Sequence, residues 1–399
     1  MKYRNHELKS HSFLKLLLLS FVVLVMAAFV SWLILTKQSS QTVSTSSNPR
    51  SSSNSTVQSV NGRYLFNGTI FWGRAFEKWS QNPDGTYDYT HPFSQLKTFD
   101  RDKYDAWVAD LECPVLDIDI PYQVQVDQLK FNCRPEFLSE AVKYFNIIDL
   151  ANNHSGDQGI EGYNKTRQAV IKAGAQTFGH YDPSLTDNIC QVIALPVRLK
   201  LSDNKQKVSS LPVAFCAWHY FYRAPAPGEI EAMKKYAKSM PVFAFVHMGQ
   251  EYQTSATPIQ QNIAHQVIDA GADFVIANNP HWVQNSEVYK NKLIFYSTGN
   301  FIFDQIDTEG MRSASVDLTM AVDYDDNLQK WLDIGDKCQQ HTSNCLKWAN
   351  NLSKARYQLK FGLVAGDNST HVTKKGDKTL QVAIEKRANW AQTLIELGQ

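Results

Sequence analysis

The sequence predicts a mixed α/β domain with layered sheets. Three observations carry that expectation. Short apolar runs of strand length alternate with amphipathic segments of helical period. Glycines follow the amphipathic segments, where a helix stops. Two further stretches read as antiparallel pieces, which makes the sheet mixed rather than purely parallel. The apolar runs are YLFNGTIFW (64–72), DAWVADL (105–111), NIIDLA (146–151), PVFAFVH (241–247), DFVIAN (273–278) and KLIFYST (292–298). Between them, residues 136–145 carry Phe137, Leu138, Ala141 and Val142, and residues 160–173 end at Gly174. Residues 259–270 set Ile259, Ile263, Val267 and Ile268 on one face before Gly271. The antiparallel pieces are 189–217, where NICQVIALPV and LPVAFCAW flank a polar loop, and ASVDLTMAVDY (314–324).

The N-terminus sets the compartment. Residues 16–36 form an uncharged apolar run long enough to span a bilayer as a helix, preceded by Lys2, Arg4, Lys9 and Lys15. Positive charge stays inside, so residues 1–15 read as a cytoplasmic basic segment and the remainder as extracellular, on a single-pass cell-membrane anchor. A cleaved signal peptide is the alternative, with Ala27 and Ala28 near a processing point. Residues 37–61 are rich in Ser and Thr and read as a disordered linker. The main domain is expected over 62–325, and 326–399 as a partly helical C-terminal extension without a motif tied to chemistry. All six cysteines lie beyond the membrane segment, which favours disulfides over a thiolate metal site. Neighbours in sequence suggest Cys113 with Cys133, Cys190 with Cys216, and Cys338 with Cys345.

A net charge of +1 shows no nucleic-acid footprint, so no nucleic-acid partner is expected. Local chemistry says more. Apolar strands end in polar clusters: Asp110 and Glu112 after WVA; Asn152, Asn153 and His154 after IIDLA; His247 after FAFV; Asn279 and His281 after FVIA; and Asn300 in YSTGN. Ligands of open α/β sheets bind outside the carboxyl ends of strands. Three imidazoles, one or two carboxylates and carboxamides suit a hard-to-borderline divalent metal centre.

The quoted stretches DAWVADLECPV, FNCRPEFLSEAVKYFNIIDLANNHSGDQGIEGYNKTRQAVIKAGAQTFGH and FAFVHMGQEYQ, followed by IDAGADFVIANNPHWVQNSEVYKNKLIFYSTGNFIFD, carry a resemblance from about Tyr64 to Asp304. The chain resembles the CapA family of capsule-synthesis proteins, associated with poly-γ-glutamate, whose domain has the calcineurin-like metallophosphatase fold. The resemblance implies a four-layer αββα sandwich with metal ligands on strand-end loops. By position it implies Glu112, Asn153, His247 and His281 as ligands of one or two divalent ions (Mn, Zn or Fe). It matches Ser297, Gly299, Asn300 and Phe301 to a Tyr-Ser-x-Gly-Asn-Phe signature. Three positions depart from the family: Asp110 stands where Asn is usual, Thr69 where the first strand ends in Asp, and Asn279 where His-Pro-His begins. Thr69 and Asn279 are therefore degenerate ligand positions.

Two functions follow as expectations. The first is a metal-dependent phosphoesterase-like hydrolase in capsule synthesis, export or attachment, with Glu112 at the metal and His154 as general acid or electrostatic stabiliser. Asn152, Asn300 and Arg74 are the expected substrate contacts. The second is a degenerate scaffold that binds an anionic capsule polymer or its export complex, with Arg74, Lys130 and Arg134 supplying cations. Sequons at Asn67, Asn153, Asn164 and Asn368 lend weak support to a third reading as a eukaryotic interaction module.

Overall fold

Strand β1 (Val57–Ile70) runs through the sheet network, and each of its edges is used twice. One edge pairs antiparallel with β5 (Cys190–Leu201) through residues 57–61, then parallel with β2 (Ala106–Leu111) through 64–70. The other pairs antiparallel with β12 (Arg312–Val322) through 60–66, then parallel with β11 (Asn300–Ile302) at Thr69 and Ile70. A parallel branch continues from β2 to β3 (Ile147–Asp149) and β4 (Gln176–Phe178). The longer path runs from β5 through β6 (Gln206–His219), β7 (Val242–His247), β8 (Phe274–Asn278) and β10 (Lys292–Phe295) to β9 (Ser286–Tyr289). Beyond β12 it adds β13 (Tyr357–Asp367) and β14 (Lys374–Lys375).

This computed structural model describes residues 56–182, 189–221, 223–340, 342–349 and 351–399. The expected membrane segment, 16–36, and the linker up to residue 55 lie outside the described residues. Within those residues no helix is long and apolar enough to cross a membrane.

Alternation along the strands builds two cores. On β2, Ala106 and Val108 join one buried cluster while Trp107 and Ala109 join the other. Phe66 of β1 meets Phe243 and Phe245 of β7 and Phe274 of β8, with ring centroids 6.1, 5.8 and 5.4 Å apart. Phe178 of β4 meets Phe215 of β6 and Phe245 at 5.2 and 4.8 Å. The β1–β4 branch therefore lies face to face with β6–β8, and aromatic rings fill the space between them. Helix α1 (Gly159–Lys172) contributes Tyr163 and Val170 to the second cluster. Helices α2 (Pro258–Asp269) and α3 (Asp326–Gln340) contribute Ile263, Val267, Leu328 and Trp331 to the first. Gly174 and Gly271 stop α1 and α2 in the left-handed conformation, φ 105° and 115°, as their positions predict.

Three boundaries differ from the sequence reading. β1 begins at Val57, inside the expected linker, because residues 57–61 pair with β5 and 60–61 also pair with β12. The expected helix over 136–145 is a 3₁₀ turn, Pro135–Phe137, and one α-turn, Leu138–Ala141, which bury Phe137, Leu138 and Ala141. Residues 326–399 add helices and also extend the sheet: β13 pairs with β12 in continuous register from Arg312↔Asp367 to Val322↔Tyr357.

The expected disulfides, Cys113–Cys133, Cys190–Cys216 and Cys338–Cys345, are all present. Cys190 and Cys216 face each other in the β5–β6 register. Non-reducing peptide mapping of the purified chain is expected to return these three pairs and no free thiol.

At the start of α2, Thr257 Oγ1 accepts from the Gln260 amide at 3.3 Å, Gln260 Oε1 accepts from the Thr257 amide at 3.0 Å, and Pro258 holds the first helical position. Thr257→Ala is expected to lower stability by about 1 kcal/mol, read as a lower urea midpoint with unchanged slope.

Candidate functional site

The ends of β2 and β7 meet across the sandwich through Asp110. Its Oδ2 accepts from His247 Nδ1 at 3.0 Å, and its Oδ1 accepts from Asn152 Nδ2 at 2.7 Å. An ionised carboxylate only accepts, so His247 donates from Nδ1 and turns Nε2 to the cleft. That Nε2 is buried without a hydrogen-bond partner, 4.0 Å from Glu112 Oε1. Glu112 is itself 1% exposed, and its Oε2 is also unpartnered. Burial first, and Asp110 second, push the Glu112 carboxyl well above its usual range. Asp149, on β3, is raised for the same two reasons.

The turn after β3 is built by Asn152. Its Oδ1 accepts from the His154 amide at 3.1 Å and from Ser155 Oγ at 2.9 Å, and its Nδ2 also donates to the Leu111 carbonyl. Every hydrogen-bonding position of the carboxamide is filled. The turn leaves Asn153 Oδ1 buried and unpartnered. It also presents His154, whose Nδ1 faces Asp157 Oδ2 at 2.9 Å and whose ring stacks on Phe131 at 3.9 Å. His154 Nε2 lies 3.9 Å from Glu112 Oε1.

After β8 the backbone turns sharply. Asn279 and His281 hold φ of 95° and 60°, a region that non-glycine residues adopt at a cost and that concentrates at functional sites. Asn279 Nδ2 donates to the Gly249 carbonyl at 2.5 Å, which leaves Oδ1 buried and unpartnered. His281 Nδ1 donates to Asn300 Oδ1 at 2.9 Å. Burial lowers the His281 pKa to about 4, with nearby His247 and His154 pushing the same way. The ring is neutral at pH 7, and Nε2 is its free lone pair. Thr69 lies between these groups on β1, in register with Asp110 on one side and Asn300 on the other.

The structure thus brings Glu112, Asn153, His154, His247, Asn279 and His281 to neighbouring strand ends, and it engages the three expected substrate contacts, Asn152, Asn300 and Arg74, within the protein itself. Asn152 is saturated as the pillar of its turn. Asn300 orients His281 and gives its Nδ2 to Gln305 Oε1 at 2.9 Å. Arg74 is bound by Asp304 through Nε at 3.1 Å and through a second guanidinium nitrogen, with its cation over Phe131 at 4.4 Å. Arg134 is likewise engaged, by Glu77 and Asp119. Two orienting carboxylates went unassigned in the sequence, Asp110 toward His247 and Asp157 toward His154. Their signals were modest: the i, i+3 spacing of His154 and Asp157, and a carboxylate where the family has Asn.

Four buried polar atoms therefore lack partners here: Glu112 Oε2, Asn153 Oδ1, His247 Nε2 and Asn279 Oδ1. Native interiors leave few such atoms, and each of the four is an acceptor of the kind that ligates cations. Among the described residues no three His, Cys, Asp or Glu side chains form a ready ligand set. Two of the four orphaned atoms are carboxamide oxygens, so the donors fit a divalent ion as a mixed N/O set rather than an all-acidic or all-imidazole one.

Over 275 residues the chain is 29% identical to the PGA biosynthesis protein CapA of Bacillus subtilis, covering 63% of this chain and 66% of that protein. It is also 29% identical over 271 residues to the capsule biosynthesis protein CapA of Bacillus anthracis, covering 62% and 61%. The matches span just under two thirds of those relatives' lengths. Among solved structures, the calcineurin-like phosphoesterase YfkN of Bacillus subtilis aligns over 86% of this chain and 100% of that chain, at 11% identity and a TM-score of 0.39. Residues 63–305, which hold every side chain placed at the strand ends above, match the family described as bacterial capsule synthesis protein PGA_cap, and the chain belongs to that family.

Proposed function

We propose that the protein is a membrane-tethered, extracellular hydrolase of phosphoester type acting in the synthesis, export or attachment of a capsule polymer such as poly-γ-glutamate. The observation that carries this reading is the set of four unpartnered buried atoms on Glu112, Asn153, His247 and Asn279. Glu112, Asn153, His247 and His281 hold a divalent ion (Mn²⁺, Zn²⁺ or Fe²⁺), and Asn279 adds a weak oxygen donor. Such an ion, when bound, polarises a phosphoryl oxygen and lowers the pKa of a water. Asp110 and Asn300 keep the proton of His247 and of His281 on Nδ1, which leaves each Nε2 for the ion. His154, fixed by Asp157 and Phe131, delivers a proton from Nε2 to the leaving group. The family and its capsule-synthesis relatives support the cellular role, and the apolar segment 16–36 supports the tether.

The scaffold reading draws on Thr69 and Asn279, which are weaker ligands than a carboxylate and an imidazole. It loses support from the cleft itself. Arg74 is already paired with Asp304, and Arg134 with Glu77 and Asp119, so neither guanidinium is free for a polyanion.

Metal analysis of the full chain, purified in detergent without chelator, tests the proposal together with hydrolysis of bis(p-nitrophenyl) phosphate. About one ion per chain and Mn²⁺- or Zn²⁺-dependent hydrolysis are expected. A protein that retains no ion and cleaves nothing, yet binds poly-γ-glutamate in EDTA, is the scaffold instead.

A further inference from the structure

The loop after β7 borders two spaces. Its Gly249 carbonyl accepts from Asn279 Nδ2 on the side of the metal centre, and Tyr252 stacks on His281 with centroids 5.9 Å apart and planes at 25°. The same Gly249 and Tyr252 also line a cavity of about 690 Å³ that opens against Tyr220, Met248, Ile259 and Ile263. This volume suits a drug-sized organic group.

The walls say what kind of group. Tyr220, Met248 and Ile263 are buried, and Ile259 is exposed at the rim. The cation on the wall, Arg223, is held by both oxygens of Glu229 at 2.9 and 3.0 Å. The other wall charge is the carboxylate of Glu251, which has no cationic partner among the described residues. A phosphate or a chain of glutamate carboxylates finds no free cation there and one repelling anion. An uncharged ring finds aromatic faces and aliphatic walls instead.

The loop is also preset. Gly249 holds φ 104°, and a Cβ there would lie 2.4 Å from Gln260 Nε2, so the backbone sits tight against the start of α2. Tyr252 holds φ 58° and its hydroxyl accepts from Gln305 at 3.0 Å, which fixes the ring between His281 and the cavity.

We infer that this cavity is the subsite for an uncharged aromatic group of the substrate, whose phosphoryl end sits at the metal centre. The inference rests on the phosphoesterase reading for the second half of that statement only. It narrows the substrate class to aryl- or heteroaryl-bearing phosphoesters and separates the recognised group from the anionic polymer.

The test uses the full chain in detergent. Titration calorimetry with Mn²⁺ present is expected to give about tenfold tighter binding of phenylphosphonate than of methylphosphonate. The ratio falls to about one in Ile259→Asp, a rim change at an exposed position. Fluorescence titration with 2-naphthol, which carries no phosphoryl group, is expected to show saturable binding in EDTA as well as in Mn²⁺, lost in the same variant. Naphthol binding by a protein that retains no metal sinks the phosphoesterase reading and upholds the aromatic subsite. Absence of naphthol binding, a phosphonate ratio of one in the wild type, unchanged binding in Ile259→Asp, or displacement of naphthol by a γ-linked glutamate oligomer each overturns the inference.

Discussion

Glu112→Gln protein, purified without chelator, is expected to retain no divalent ion and to hydrolyse bis(p-nitrophenyl) phosphate at least about 10³-fold more slowly than wild type, the several kcal/mol of charge stabilisation that a bound ion contributes. Among the candidate ligands, only Glu112 is a carboxylate; its partners are imidazoles and carboxamides. Gln has the same shape but neither the negative charge nor the second acceptor oxygen. The change also separates a lost ligand from a damaged fold. Burial and the neighbouring Asp110 make an anion at this position costly in the absence of a cation, so a neutral side chain relieves repulsion between buried charges. The metal-free variant should unfold no earlier than metal-free wild type in a thermal scan, while Mn²⁺ raises the midpoint of wild type alone. If the variant keeps both its ion and its Mn²⁺-dependent midpoint, Glu112 is not a ligand.

Much of the fold was legible because its central strands are buried on both sides. AWVADL, VFAFVH and FVIAN are buried at every position, and each opens on an apolar run of four or five residues. β13 was not legible for the opposite reason. YQLKFGLVAGD is exposed or half-exposed over most of its length, so its apolar content is diluted and only its pairing with β12 reveals it. The start of β1 was hidden in the same way, since VQSVN continues the polar composition of the linker while its backbone is already paired.

At the site, residue types were legible and bonding was not. Asn153, His154, His247 and His281 stand out because polar groups close apolar strands. Asn152 looks equivalent to Asn153 in the sequence, yet one carboxamide is saturated by a turn and the other is left with an unpartnered oxygen. Arg74 looks like a free cation because Asp304 lies far away along the chain and adjoins it only after folding. Adjacent Asn278 and Asn279 differ likewise. Asn278 accepts from Thr298 inside the sheet, whereas Asn279 is strained at the cleft.

Asp110→Asn carries the second large effect, a rise of about 10- to 100-fold in the Mn²⁺ dissociation constant, the range for losing an orienting partner behind a ligand. The family has Asn at this position, so the substitution looks neutral by resemblance. The local bonding says otherwise. The Asp110 carboxylate accepts twice, from Asn152 Nδ2 and from His247 Nδ1, and a carboxamide has only one oxygen for the two donors. If the oxygen serves Asn152, the new amide nitrogen faces His247 and needs an acceptor there. The imidazole proton then moves from Nδ1 to Nε2, and the atom that faces Glu112 loses its lone pair. If the oxygen serves His247 instead, Asn152 loses a bond and the turn that carries Asn153 and His154 loosens from β2. Either arrangement weakens the cation site from outside the ligand set. Titration calorimetry with Mn²⁺ measures the effect, and Nε2-protonated His247 is visible as a changed imidazole ¹⁵N shift. An unchanged affinity with unchanged imidazole shifts removes His247 Nε2 from the metal site and leaves Asp110 as a purely structural acceptor.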